Sequence, residues 1–457
     1  MKEKKYADTV IVGAGLTGLA TVFQLLKDGK QALILEKADR AGGQIKTLRQ
    51  GGFVFETGPN TGTVSHPEVA ELFSDLAPNC TLEIANSDAN SRLIWKGNCF
   101  HPLPSGLFGG ITTPLFTLRD KFRILGEPFR PKGANPDETV GELASRRLGK
   151  SFVDYAVDPF ISGIYAGDPY SLVTRYALPK LYNLEQNYGS FIKGSIAKAK
   201  EPKTERDRLA TKKVFSAKGG LENLTSSMAK FIGKENIILS VSSIKVTPEE
   251  GGWKVLYCTP EGEFTLFARN IVTTVGAYAL PDILPFVEKE DMNKIASLRY
   301  ASIVQISVGV NELSGLQFRA FGGLIPTCEK KQLLGILFPA ACFSERAPEN
   351  GALFSFFVGG MKAANLIELS DVELTEIIVR EFHSMLKFPA GKEPDLIHIS
   401  RHRFAIPQYE KSTGERLETV EKLQKKHRGL IIGGNLRNGI SMADRILQGT
   451  KMAKEIL

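Results

Sequence analysis

Val10-Ile11-Val12-Gly13-Ala14-Gly15-Leu16-Thr17-Gly18-Leu19-Ala20 decides the fold: an apolar strand runs into a glycine turn and then into a helix start. Gly13 permits the tight turn, Gly15 lets backbone N–H groups approach a pyrophosphate, and Gly18 lets the helix pack on the strand, with the helix N-terminus facing the anion. About twenty residues on, Ala32-Leu33-Ile34-Leu35-Glu36 supplies the next strand, and Glu36 closes it where a carboxylate would accept ribose hydroxyls. The amphipathic stretch Leu16–Leu26 between them completes a dinucleotide-binding βαβ unit.

The residues that follow select the dinucleotide. Glu36-Lys37-Ala38-Asp39-Arg40-Ala41-Gly42-Gly43 resembles the extended signature of large FAD-dependent oxidoreductases, in which an arginine and paired glycines follow the ribose carboxylate. Arg40 could meet a flavin-side phosphate or a neighbouring carboxylate, and Gly42 and Gly43 let the chain pass close to the cofactor. Gly52-Phe53-Val54-Phe55-Glu56-Thr57-Gly58-Pro59 extends the same resemblance. FAD is therefore favoured over NAD.

At 457 residues the chain is long enough for two or three lobes. Its 42% hydrophobic and 24% charged residues are those of a globular protein. The net charge of +8 favours acidic partners or anionic lipid, whereas nucleic acid is not expected, because no dense basic run interleaved with aromatics occurs. Cys80, Cys99, Cys258, Cys328 and Cys342 form no CxxC pair, which fits reduced thiols, and the six histidines lack metal-ligand spacing with them; His398 and His402 read as strand or surface residues. Met1-Lys2-Glu3-Lys4-Lys5 runs straight into a strand, leaving no room for a signal peptide, and no apolar run reaches the ~18 residues of a transmembrane helix. A cytoplasmic location is expected. Peripheral membrane attachment stays open around Phe100–Phe129, where Leu103, Leu107, Phe108, Ile111, Leu115, Phe116, Phe122 and Phe129 lie among prolines, glycines and basic residues; a buried core or a substrate-tunnel lining explains the same aromatics.

The fold class read from these patterns is α/β plus α+β. A Rossmann-like FAD-binding domain is expected from residues 1–88, 208–300 and 415–457, a helical and membrane-facing or core subdomain from 89–207, and a substrate domain built on an antiparallel sheet from 301–414. Val140–Ala156 reads as one helix and the charged interval Lys198–Lys213 as a mobile surface segment. Strands are expected at Ile237–Val241, Trp253–Cys258 and Asn270–Val275, then at Ile303–Val310, Leu333–Phe338 and Leu353–Val358. Leu430-Ile431-Ile432-Gly433-Gly434-Asn435 ends a strand in glycines before a helix over 441–457, whose N-terminus at Ser441 and Met442 could set backbone N–H groups against a flavin phosphate or the isoalloxazine ring.

Asp158-Pro159-Phe160-Ile161-Ser162-Gly163-Ile164-Tyr165-Ala166-Gly167-Asp168-Pro169 resembles the hallmark segment of the oxygen-dependent porphyrinogen oxidases of haem biosynthesis, within the flavin amine oxidase-like superfamily. Leu178-Pro179-Lys180-Leu181, Lys218-Gly219-Gly220-Leu221, Phe321-Gly322-Gly323-Leu324-Ile325-Pro326, Pro407-Gln408-Tyr409 and Gly439-Ile440-Ser441-Met442-Ala443-Asp444 follow in that family's order, so the resemblance spans essentially the whole chain. It implies a noncovalent FAD that removes hydride from the methylene bridges of protoporphyrinogen IX or coproporphyrinogen III, with dioxygen as acceptor giving hydrogen peroxide, and a homodimer as the family's habit. No catalytic dyad is required, because pyrrole nitrogen stabilises the cation and the flavin carries the hard step. The resemblance places a backbone carbonyl of Gly163 against pyrrole N–H groups, with Phe321 and Leu324 sandwiching the macrocycle and Phe357 as a further wall. On the cofactor side it implies Gly13, Gly15, Gly18, Glu36, Arg40, Gly42, Gly43, Gly58, Val241 through its backbone, Gly434, Ser441 and Met442.

Two departures accompany the match. Leu103-Pro104-Ser105-Gly106-Leu107 is followed by Phe108 where some members carry an arginine for a substrate propionate; Arg119, Lys121, Arg123, Arg130 and Lys132 are the nearby cations. Lys411-Ser412-Thr413 follows Pro-Gln-Tyr where many members have glycine and histidine. An amine oxidase or carotenoid desaturase would also carry the FAD motif, and a flavoprotein that binds porphyrin without turning it over is a third reading. A flavin bound to a C-terminal cysteine is excluded, since the last cysteine is Cys342.

Overall fold

A computed structural model describes residues 5–104, 109–110 and 112–456. Lys5–Val12 is central in a seven-stranded sheet, flanked by Ala32–Leu35 and by Gly262–Thr273, both parallel to it. The long Gly262–Thr273 strand serves two neighbours along its other edge: its first half pairs antiparallel with Gly252–Thr259, and its end pairs parallel with Leu430–Ile432. The residues expected to return to the first lobe thus close its sheet. Helix Leu16–Lys27 covers one face and packs on the closing helix Met442–Glu455, where Gly449 leaves no space: a Cβ there would lie 2.6 Å from the Ala20 methyl carbon.

A second seven-stranded sheet runs in the order Leu396–Pro407, Tyr300–Val310, Ala352–Gly359, Gly335–Leu337, Gly322–Leu324, Arg92–Lys96, Cys99–Pro102. Its pairs are antiparallel except the one between Gly322–Leu324 and Arg92–Lys96. The two strands from residues 92–102, inside the stretch expected to be helical, therefore extend this sheet. Alternation divides its faces. Val304, Ile306, Val308 and Val310 join the cluster under helix Asp371–Leu386, with Leu374, Ile378 and Phe382. The intervening residues look the other way: the Gln305 amide donates to the Glu56 carbonyl at 2.6 Å, and Gly309 abuts the Phe53 ring. Tyr300–Val310 is covered on both faces, so its sequence reads as a nearly continuous apolar run.

Helices between residues 118 and 200 form a third layer held by charge. Arg147 is fully buried and donates to Glu127, to Glu185 at 2.7 Å and to the Gly189 carbonyl at 2.7 Å. Glu127 also accepts the Ser190 hydroxyl and the N–H groups of Phe191 and Ile192, closing the N-terminus of helix Phe191–Lys200. Burial alone would raise its pKa, but these donors and Arg147 hold it below the usual carboxylate range. Two expectations are corrected here. The helix expected over Val140–Ala156 stops at Arg147, because Gly149 takes a φ of +99°, and resumes through Lys150–Phe152 and Val153–Val157 into Asp158–Ile164. The interval Lys198–Lys213 carries structure: a capping box between Thr204 and Asp207 starts helix Glu205–Arg208, and Arg206 bridges Glu68 and Glu71, both at 2.7 Å. Replacing Arg147 by alanine would leave buried Glu127 without its cation and Glu185 with Arg146 alone, and should cost about 3–5 kcal/mol in urea unfolding.

Candidate flavin and substrate site

At the carboxyl end of the central strand the chain turns at Gly13, whose φ of +104° and N–H bond to the Leu35 carbonyl at 2.9 Å fix the loop. A side chain at Gly18 would place Cβ 2.0 Å from the Gly13 carbonyl oxygen, and one at Gly43 would meet Gly15 Cα at 3.1 Å. At Gly15, by contrast, a Cβ would meet nothing within 4 Å. Gly15 is also the N-cap of helix Leu16–Lys27 and has no side chain to satisfy its first-turn N–H groups. An open space faced by a helix N-terminus and bounded by glycine backbone is what a dinucleotide pyrophosphate requires, so the residues present fit that group.

Glu36 is turned into the loop. Its carboxylate accepts the Ala14 N–H at 2.6 Å and the Ala38 N–H at 2.8 Å, while its backbone pairs with Ile238 and Val241. The structure thus brings Val241 beside Glu36. Arg40 is spent on backbone: it donates to the carbonyls of Ala41, Gly43 and Ile45, clamping the Gly42–Gly43 turn. Gly58 packs on the Gln44 carbonyl, and His402 lies in hydrogen-bond contact with the Thr57 carbonyl. Glu56 is buried between the two sheets; burial pushes its carboxyl up to about 7 although the Leu221 N–H and Thr47 hydroxyl bind it.

The closing segment reaches the same space. Gly434 donates its N–H to Gln448 at 2.9 Å, and Ser441 caps the last helix through a box with Asp444, so the Ser441 hydroxyl is already engaged. The Met442 side chain is in the core, which leaves its backbone for any ligand. Residues that sequence reasoning gave no role hold the intervening loop. Tyr409 donates to the carbonyls of Asn435 and Gly439 at 2.9 and 2.8 Å, and Arg445 to those of Arg437, Asn438 and Gly439. The Tyr300 hydroxyl accepts the Ala277 N–H and so donates to Asn435 Oδ1 at 3.1 Å, which turns the Asn435 amide nitrogen away from it. Tyr409 stood in the sequence only as part of a Pro-Gln-Tyr marker; nothing there links it to Asn435.

On the second sheet, Ile94, Leu324, Gly335, Phe357, Gln305 and Ser400 share one register row across the strands. Gln305 places that row on the face toward the first lobe. Gly163, in helix Asp158–Ile164, sits directly on it: a Cβ at Gly163 would be 2.4 Å from Leu324 Cδ2. Asp158 anchors this helix by accepting the Thr327 N–H at 2.7 Å and pairing with Lys362. Phe321 stands apart from the row, in a cluster with Ala89, Cys342 and Phe343, with the Arg92 guanidinium 5.8 Å from its ring centre. Phe108, like Leu107 and Ile111, lies outside the described residues.

The model of the family described as flavin containing amine oxidoreductase matches residues 16–457. The chloroplastic protoporphyrinogen oxidase of Nicotiana tabacum is 29% identical over 471 residues, 98% of this chain and 85% of that protein. The coproporphyrinogen III oxidase of Bacillus subtilis is 24% identical, with 98% and 97% covered. Among solved structures, an Exiguobacterium protein provisionally assigned as a protoporphyrinogen oxidase superposes with a TM-score of 0.81 at 22% identity over 99% of both chains. Cyclohexylamine oxidase from Brevibacterium oxydans gives 0.71 at 16% identity over 98% of both. Gly15→Ala should leave the flavin-free protein within about 1 kcal/mol of wild type, the scale of losing a glycine N-cap, yet weaken FAD at least ~10-fold, the effect of filling a phosphate approach; fluorescence titration with FAD and thermal melts check this. Gly18→Ala should fail in both assays.

Proposed function

Because the chain belongs to the flavin containing amine oxidoreductase family and holds FAD without a covalent bond, we propose that it oxidises a porphyrinogen to the corresponding porphyrin in haem biosynthesis, with dioxygen as acceptor. The observation that carries this reading is the row Ile94–Leu324–Gly335–Phe357 with Gly163 set against Leu324. That row holds no titratable group, and its polar continuation is Gln305 and Ser400. A reaction needing a protein base would find none there, whereas a porphyrinogen brings its own stabilising pyrrole nitrogens.

Bound FAD would supply the hydride acceptor. The chain's part is to bind, orient and keep water out. Leu324 and Phe357 offer apolar contact to a macrocycle, and the missing side chain at Gly163 makes room for Leu324 against the helix. The network of Asp158 with Thr327 and Lys362 holds the Gly163 helix against the sheet. Arg92, exposed and two residues before Ile94 on the same strand, is a cation that could meet a substrate carboxylate. On the cofactor side the proposal assigns Gly13, Gly15, Gly18, Gly43 and the Met442 backbone to the phosphates and flavin, Glu36 and Arg40 to holding the loops, and the three-part division of the chain to cofactor lobe, helical layer and substrate sheet.

Anaerobic mixing with protoporphyrinogen IX and, separately, with coproporphyrinogen III should bleach the flavin with one of them, and air should then restore it as porphyrin fluorescence rises. Bleaching by neither, with FAD bound, would sink the proposal and favour an amine or polyene substrate. Leu324→Ala should raise KM severalfold, on the scale of the ~1 kcal/mol lost when part of a leucine's apolar contact is removed.

The helical layer also carries a contact surface. Leu118, Phe122, Leu125 and Phe129 are 70, 71, 63 and 85% exposed, whereas Leu115 and Phe116 are buried. The acids of this stretch, Asp120 and Glu127, point inward, so Arg119 and its basic neighbours set the sign of the surface. Apolar anchors among cations suit an anionic bilayer. Sedimentation with vesicles containing phosphatidylglycerol should carry the protein down, more weakly for Phe122→Glu/Phe129→Glu and not at all with pure phosphatidylcholine. No helix among the described residues is long and apolar enough to cross a membrane.

A further inference from the structure

Behind the loop Asn435–Gly439 lie guanidinium groups that the structure leaves without counter-ions. Arg416, on helix Thr413–Lys426, is 0% exposed and donates once, from Nη2 to the Thr413 hydroxyl at 2.8 Å; its Nε and Nη1 meet no acceptor. Arg445 is buried and gives its bonds to neutral oxygens, three loop carbonyls and Gln448, with Nε unpartnered. Neither arginine forms an ion pair among the described residues. The acids nearest in charge are committed elsewhere, Glu410 to Arg299 and Asp444 to Ser441 and His66. Burial pulls the pKa of both arginines down, the sign of charge held without compensation.

An isolated buried cation costs several kcal/mol, so its retention calls for a negative charge that the folded chain itself does not provide. Tyr409 and Tyr300, whose neutral hydroxyls lie near Arg416, are the residues that hold Asn435. Resting on the reading that this loop faces the flavin, we propose that Arg416 and Arg445 form a fixed positive wall that balances the negative charge the flavin gains on reduction, and thereby raise its reduction potential. Uptake of hydride from the substrate carbon brings two electrons and one proton, which adds one negative charge to a neutral ring system. A cation behind the loop favours that product over the oxidised state.

The test uses FAD-loaded Arg416→Met, which keeps volume and removes charge, beside Arg416→Lys, which keeps charge. Dye-equilibrated reduction should show the equilibrium constant for two-electron reduction falling about tenfold in the methionine variant, a shift of ~30 mV to more negative potential. Sulfite, which adds negative charge to the flavin, should bind correspondingly more weakly, and lysine should restore most of both. Freed of its flavin, Arg416→Met should melt no lower than wild type, because an uncompensated charge has gone. An unchanged potential overturns the proposal, and a parallel loss of ADP affinity would then assign the charge to the pyrophosphate. A flavin-free variant that melts well below wild type also overturns it, assigning the guanidinium to folding. Wild-type protein that takes up no FAD would instead refute the underlying flavin reading, a result distinct from either.

Discussion

Everything at the cofactor end depends on one close approach, that of helix Leu16–Lys27 to the strand that precedes it. Gly18 lies so near the Gly13 carbonyl, and Thr274 so near both, that no side chain fits between them. This contact aims the helix N-terminus across the carboxyl edge of the parallel sheet, where its unpaired N–H groups face the space beside Gly15. The closing helix repeats the device from the other side, since Gly449 rests on Ala20 and the Thr17 carbonyl. Two chain ends more than four hundred residues apart are thus fixed relative to one anion-binding space.

The second constraint is parity. A strand places successive side chains on opposite faces, and Tyr300–Val310 uses both. Even-numbered valines and isoleucine bury under helix Asp371–Leu386, while Gln305 and Gly309 reach the first lobe. The register then carries the front face sideways from Gln305 to Phe357, Gly335 and Leu324. A slip of one residue would send Leu324 and Phe357 into the back cluster and Ile336 and Phe356 toward the cofactor.

What could be read in advance follows from how local each signal is. The glycine turn, Glu36, the closing strand and the Ser441 cap are defined by residues adjacent in sequence, and each lies where its pattern put it. The meeting of Leu324 with Gly163 is not legible, because 161 positions separate them and a helix anchored through Asp158, Thr327 and Lys362 brings them together; the resemblance set each against a macrocycle. Arg40 and Ser441 show the limit of residue type as a guide. Residue type suggests a ligand contact for each, and it does not announce that Arg40 clamps the loop carbonyls of Gly43 and Ile45 or that the Ser441 hydroxyl donates to Asp444. The interval at 198–213 misled for the same reason: composition reports charge, but not that Glu68 and Glu71 lie opposite Arg206.

Charge placement separates the two ends of the molecule. In the helical layer, where an arginine is buried to hold elements together, the chain sets Glu127 and Glu185 against Arg147 and completes the carboxylates with hydroxyl and backbone donors. That is the arrangement a buried guanidinium requires when its role is structural, because the desolvated charge must be met on the spot. Behind Asn435–Gly439 the same chain buries Arg416 and Arg445 with no ion pair to either among the described residues, only the Thr413 hydroxyl, loop carbonyls and the Gln448 amide. A sequence able to compensate one buried arginine twice over leaves these two without an ion pair behind the loop that follows Gly434. Their missing counter-charge is therefore sought in what binds in front of that loop.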